Sequence, residues 1–355
     1  MKFGQWLGLV AFLFSLYILW EIRQIVLLVF ASVVLATVLN RVVRQMQRYR
    51  INRGIAIAVT MIVLLALIVG FFAVIVPRLI DQLQEFLTLI PAISNRLRIW
   101  YEWLQTVVPG QFFEDTNILN NLAQQLQTWV AQILGNFFLL INTSLTAILS
   151  LLLFLVVTIM LLVNPAPYRR IFILAFPAFY RRRVDAILSE CEDALIGWIK
   201  GTLLTMFAIA LLSFIGLVVL RVPLPLVNAA LAGLLEFIPN VGPTLSVFPP
   251  ALLALLDAPW KAVAVIVLYV VIQQIESLLL VPLIMQQEVS LMPVFTILAV
   301  VVFASFFGFL GLFLAIPLLI VTQIWLKEVL VKDVLNKWHN GKEHQDLSLT
   351  DDIDS

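Results

Sequence analysis

Charge is what this sequence has least of: Asp, Glu, Lys and Arg together make up 12% of 355 residues, against 62% hydrophobic ones. A soluble domain carries about 25% charged residues, so the chain has too little polar surface to cover a core in water. Its 22 basic residues are offset by 21 acidic ones, which leaves no basic excess for binding nucleic acid. Cysteine occurs once, at Cys191, which excludes an intrachain disulfide and gives no metal-ligand spacing. Histidine occurs only as His339 and His344, both in the polar tail. Imidazole-based zinc or triad chemistry therefore has almost no material. No Ser/His/Asp set, His-Glu-x-x-His or phosphate loop is present either. The sequence predicts neither an enzyme nor a cofactor or metal site.

Long apolar runs are what remains. A helix needs about 20 mostly apolar residues to cross the hydrocarbon core. Residues 3–20, 24–40, 54–76, 137–163 and 201–220 qualify, with no charged side chain in any of them. The first run follows Lys2 in the manner of a secretory signal, but it ends in Trp20-Glu21-Ile22-Arg23 without a small-residue cleavage site. Another apolar run follows at once, so it reads as an uncleaved first span. Pro and Gly lie largely within the apolar regions, as is ordinary for helices in lipid.

Two basic loops set the expected orientation. Arg41, Arg44, Arg48, Arg50 and Arg53 separate the second and third runs, and Arg169, Arg170, Arg181, Arg182 and Arg183 follow the fourth. Neither stretch holds an acid, so both are expected to face the cytoplasm, with both chain termini on that side. The segment between the third and fourth runs is different. Leu79, Leu83, Phe86, Leu87 and Ile90 recur at helical spacing, as do Leu119, Leu122, Leu126, Trp129 and Ile133. These read as external amphipathic helices, packed on each other or on the bilayer interface. A further amphipathic helix over 183–200 is expected on the cytoplasmic surface, leading into the fifth span. The tail beyond residue 327 mixes Lys with acids and is predicted to be partly disordered.

Between residues 222 and 326 only Glu236, Asp257, Lys261, Glu276 and Glu288 are charged. Asp257 and Lys261 bracket Ala258-Pro259-Trp260, an interfacial turn. Glu236 and Glu276 lie inside apolar sequence, where a carboxylate costs at least a few kcal/mol and faces a cavity, an ion path or a partner. A glutamate that merely glues helices by hydrogen bonding is the alternative. Around Glu236, Pro239, Gly242 and Pro243 break the helix, because proline lacks an N–H and pushes the residue before it out of the α region. Broken backbone at membrane depth survives only inside protein or beside a wet cavity, and it points to a transport site. Residues 222–235 are too few to cross unaided and suit one arm of a re-entrant hairpin, with 244–256 as the other. Residues 289–326 are uncharged and break near Phe306-Phe307-Gly308-Phe309-Leu310-Gly311; two short spans and a second hairpin both fit. Between these pairs, 262–281 reads as one full span carrying Gln273, Gln274 and Glu276.

The predicted class is therefore an all-α polytopic membrane protein. It has about six full transmembrane helices plus two broken or re-entrant helical hairpins, about eight apolar elements in all, with an external amphipathic helical segment. The layout is a three-span unit over 1–76, the extracytoplasmic segment over 77–136 and a fourth span over 137–168. A cytoplasmic Arg-rich linker helix follows over 169–200, then a transport core over 201–326 and a cytoplasmic tail over 327–355.

Glu236-Phe237-Ile238-Pro239-Asn240-Val241-Gly242-Pro243, Gln273-Gln274-Ile275-Glu276, Pro282, Leu291-Met292-Pro293 and the pair Gly308 and Gly311 with Pro317 resemble the autoinducer-2 exporter family of bacterial permeases. The order of spans, amphipathic segment and Arg-rich linker matches as well. The resemblance implies a secondary transporter of small polar or anionic metabolites in the plasma membrane (the bacterial inner membrane), with some members proposed to couple to protons or sodium. It also implies a homo-oligomer, a pentamer, with hairpin-bearing elements working in an elevator-like manner. Two positions depart from the family pattern: Met292 stands where His is common, and Ala304-Ser305 where a Gly pair is common. The missing His removes a polar group that would serve the site.

Two functions follow. In the first, Glu236 and Glu276 titrate or bind a cation, and Asn240, Gln273 and Gln274 offer neutral hydrogen bonds. The breaks at Pro239, Gly242, Pro243, Gly308 and Gly311 then supply free backbone groups, and Pro282 enters through the resemblance alone. In the second, the chain is a non-transporting oligomeric scaffold that binds a partner through residues 78–135.

Overall fold

The computed structural model describes residues 14–15, 17–18, 20–70, 73–75, 77–78, 80–81, 128, 132, 144–238, 241–282 and 293–329. Among them there is no strand. Helix α1 spans Arg23–Arg48 and α2 spans Arg53–Ile75. Then come α3 (Ser144–Val163), α4 (Pro165–Leu174) and α5 (Arg181–Val219). Four helices follow: α6 (Pro225–Leu235), α7 (Val241–Ser246), α8 (Phe248–Asp257) and α9 (Pro259–Ile275). A π-helical turn over Glu276–Leu280 extends α9, and α10 covers Pro293–Trp325. Among the described residues, 5 helices are long and apolar enough to cross a membrane, or 6 when a bent pair counts as one span. The chain is an all-α polytopic protein, as its apolar runs predict.

Three local features follow directly from sequence. Helix α3 ends at Asn164, whose φ of −146° and ψ of 85° are extended, the conformation forced on a residue before proline. Pro165 then starts α4 at an angle of 93° to α3. Helix α1 runs past the apolar stretch into the basic loop and stops only at Tyr49, where Arg50 takes a positive φ of 63°. The predicted linker helix over 183–200 and the fifth span are one continuous helix of 39 residues. No proline interrupts α5, and Gly201 at the junction costs about 1 kcal/mol, too little to break it. Residues 3–13 of the first predicted span fall outside the described residues. So does nearly all of the segment 77–136.

Contacts divide the chain into two compact units. One comprises Met1–Thr60, Leu152–Lys200 and Gln287–Ser355; the other comprises Met61–Leu151 and Gly201–Gln286. In the first unit, Ser32 on α1 is fully buried and its hydroxyl donates to Leu28 O at 2.9 Å and to Phe154 O of α3 at 3.2 Å. Arg53 donates to Leu162 O at 2.9 Å and so satisfies a carbonyl in the last turn of α3. Arg183 pairs with the buried carboxylate of Glu328 at 2.6 Å.

Helix α10 belongs to this first unit, and it is broken where the sequence predicts. Gly308 leaves the helical region with φ 63° and ψ −142°, a conformation closed to residues with a Cβ. The chain turns so sharply that a Cβ on Gly311 would lie 2.0 Å from Phe303 O. In a straight helix those residues are separated by about 12 Å of rise.

In the second unit the core joins Ile209 and Leu217 of α5, Ala232 of α6, Leu253 and Ala254 of α8, and Val265, Tyr269 and Ile272 of α9. Turn residues Arg221 and Leu224 both take positive φ, at 54° and 53°. Asn228, 1% exposed, holds this turn by donating Nδ2 to Pro223 O at 3.3 Å and Leu224 O at 3.1 Å.

Candidate functional site

Glu236 sits immediately after the last residue of α6. Its N–H closes the final turn on Ala232 O at 3.1 Å, and Phe237 and Ile238 follow with bonds to Leu234 O and Leu235 O. The chain then reverses, and Gly242 donates its N–H to Ile238 O at 2.9 Å. A Cβ on Gly242 would lie 1.9 Å from Leu235 O and 3.0 Å from Glu236 N. Glycine is thus required by the close return of α7 onto the end of α6. Pro243 stands in the first turn of α7, and its carbonyl accepts from Ser246 Oγ at 2.9 Å. Pro239 and Asn240, both predicted site residues, lie outside the described residues.

The second carboxylate comes from α9. Pro259 starts this helix after an extended Ala258, an N1 position where the missing N–H costs nothing. Tyr269, Gln273 and Glu276 follow at spacings of four and three, which puts them on one face. Gln273 Nε2 donates to Glu276 Oε2 at 2.9 Å. From Glu276 the helix widens into the π turn, closed by Val281 N–H on Glu276 O. Pro282 comes next, is exposed, and cannot supply the N–H that Leu278 O would otherwise accept. Single π turns of this kind recur at functional sites.

Glu236 and Glu276, forty residues apart in sequence, come together in this unit. Their carboxyl groups lie close enough to act on each other. Glu236 is 5% exposed, and its Oε2 meets no donor among the described side chains or backbone. Two carboxyl groups brought together away from water favour sharing a proton over both being charged. The pair with Gln273 therefore offers two carboxyl groups and one amide, suited to a proton, a small cation or a polar group.

The other predicted residues are placed less centrally. Gln274 is exposed, off the face that carries Gln273 and Glu276. Gly308 and Gly311 belong to the other compact unit. Sequence reasoning missed Tyr269 and Ser213, two buried hydroxyls lying beside each other between α9 and α5 without the geometry of a hydrogen bond. The available signal was spacing: Tyr269 lies two turns before Glu276 on the same helical face.

A family model described as AI-2E family transporter matches residues 9–331. The chain is similar to “Putative transport protein YueF” of Bacillus subtilis (strain 168), with 26% identity over 309 residues covering 83% of this chain and 82% of the relative. It is also similar to “Putative transport protein YhhT” of Escherichia coli (strain K12), at 25% identity with coverage of 82% and 81%. “Putative permease PerM” of the same strain is 22% identical, with coverage of 89% and 88%. The matched family is one of transporters and permeases, not of enzymes. With its apolar helices, this chain is a multi-pass inner-membrane protein and belongs to the AI-2E family of transporters.

Proposed function

We propose that the chain is a secondary transporter, working as an exporter, of small polar or anionic metabolites across the plasma membrane, coupled to protons through Glu236 and Glu276. The observation that carries this reading is the meeting of the two carboxyl groups inside an apolar unit, at a break in the helix. Two carboxyl groups close together away from water hold a proton that the same groups need not hold when apart. A movement that parts α6 from α9 and opens the pair to water releases that proton in this account. Sodium would use the same oxygens and is separated from protons by the test below.

The broken backbones support the reading. A helix that ends near the bilayer midplane presents unpaired backbone groups to a substrate, and residues 225–257 and 293–325 supply such ends. Both pairs of arms act as re-entrant hairpins in this account, carrying substrate in an elevator-like manner within a homo-oligomer, a pentamer by family resemblance. In this account both termini lie in the cytoplasm, a reading supported by the two arginine clusters, around Arg44 and around Arg181.

The test is reconstitution. Liposomes containing the purified chain are loaded with a bacterial small-metabolite extract, a pH gradient is imposed, and the retained contents are read by mass spectrometry. Gradient-dependent loss of polar or anionic metabolites is expected. Full retention under every gradient overturns the transport reading, while loss that follows a sodium gradient and ignores pH reassigns the coupling ion.

A further inference from the structure

The elbow between α4 and α5 holds a feature that transport chemistry does not use. A cavity of about 430 Å³ is lined there by Arg169, Arg170, Arg181 and Arg182, with Ile173 and Leu174 as its apolar wall. Asp185 is the one acid on its surface, and Arg169 occupies it. Arg169 Nε donates to Asp185 Oδ1 at 2.8 Å and its NH2 to Asp185 O and Ser189 Oγ. Arg181 donates its Nε to Phe176 O at 3.0 Å. The guanidinium groups of Arg170 and Arg182 have no hydrogen bond or ion pair among the described residues. The cavity thus keeps an excess of positive charge with two unused planar forks, the donor geometry that matches phosphate.

A second observation selects the kind of phosphate. Helix α4 leaves α3 at 93°, so when α3 crosses the bilayer α4 lies along its surface. Leu174 on the cavity wall is 49% exposed, and Ile171, Phe172 and Phe179 of the same elbow are exposed as well. A helix lying in the interface with arginines beside bulky apolar groups is a membrane-seated element. A soluble anion would satisfy the forks and leave this apolar edge in water. A phospholipid satisfies both.

We propose that the α4–α5 elbow binds an anionic phospholipid, its phosphate held by Arg170 and Arg182 and its acyl chains laid along the apolar edge of α4. Basic pockets beside membrane helices hold anionic headgroups by this combination of charge and apolar surface. Removing both free guanidinium groups is expected to weaken binding roughly thirty-fold, from the attraction of each arginine to an anionic lipid surface.

The experiment uses the full chain in detergent, titrated with phosphatidylglycerol or phosphatidylcholine and read by native mass spectrometry. Wild type is expected to retain phosphatidylglycerol in preference to phosphatidylcholine, and the Arg170→Gln/Arg182→Gln variant to lose that preference. A control, Arg48→Gln/Arg50→Gln, removes two exposed arginines elsewhere and should keep it. Equal retention of both lipids by wild type overturns the proposal, as does unchanged preference in the elbow variant. Equal loss in the control shows diffuse surface attraction and also overturns it. Competition by inorganic phosphate alone, with no lipid preference, makes the cavity a soluble-anion site and overturns the lipid assignment. Helical circular dichroism of each variant separates lost binding from lost folding.

Discussion

Replacing Gly242 with alanine probes the turn that holds Glu236. The added methyl would stand 1.9 Å from Leu235 O and must reach the 3.4 Å of ordinary contact, a displacement of about 1.5 Å. The obstacle is backbone, so no side-chain rotation relieves it. The same methyl lies 3.0 Å from Glu236 N, so relief moves the peptide that carries the carboxylate. Overpacking of this kind costs about 1–3 kcal/mol in stability. A misplacement near 1 Å at a functional group costs about a hundredfold in rate, so transport should suffer more than folding. Gly70→Ala is the control, because no atom lies within 4 Å of its new methyl and alanine favours the interior of α2 by about 1 kcal/mol. Denaturant unfolding in detergent and flux in liposomes would be measured for both variants. Wild-type stability and flux in Gly242→Ala would refute the close return of α7 onto α6.

Three further predictions concern groups away from that turn. Ser32→Ala removes the hydrogen bond between α1 and α3 and should cost about 0.6 kcal/mol, the average for such bonds in membranes; a loss several times larger would mean Ser32 does more than join the helices. The double variant Ser213→Ala/Tyr269→Phe removes two buried hydroxyls that lack hydrogen bonds and should unfold no more easily than wild type, with a marked loss of stability counting against that placement. Burial pushes the Cys191 thiol up to about 11, and the neighbouring Glu190 adds to the shift. The thiolate fraction, and with it maleimide labelling of the folded protein, should therefore stay low and climb about tenfold per pH unit until that value is reached. Labelling that levels off near pH 8 would contradict the burial.

Much of this was legible because apolar runs, proline and glycine act locally. The break after Glu236 lies where proline forbids a continuous helix, and the break at Gly308 lies where glycine permits the left-handed turn. The class follows equally directly from runs too apolar for water. What sequence did not show depends on tertiary placement. Nothing local in Ile275-Glu276-Ser277 says that this carboxyl meets Glu236 rather than another helix, or that Gln274 turns outward while Gln273 turns in. Asn164-Pro165 sets an end to α3, but the right angle to α4 depends on packing beyond these two residues. The continuity of α5 was hidden by the change from amphipathic to wholly apolar sequence near Gly201, which alters what surrounds the helix and leaves its backbone unchanged.

The central claim is that Glu236 and Glu276 work as one proton-holding pair, and substitution of either by glutamine addresses it most directly. The amide keeps the shape of the side chain and a hydrogen bond to its partner, while removing the exchangeable acidic proton. Liposomes bearing Glu276→Gln or Glu236→Gln, loaded with metabolite extract under a pH gradient, should show intact assembly and no gradient-dependent efflux. Wild-type, gradient-dependent efflux from either variant would contradict the account.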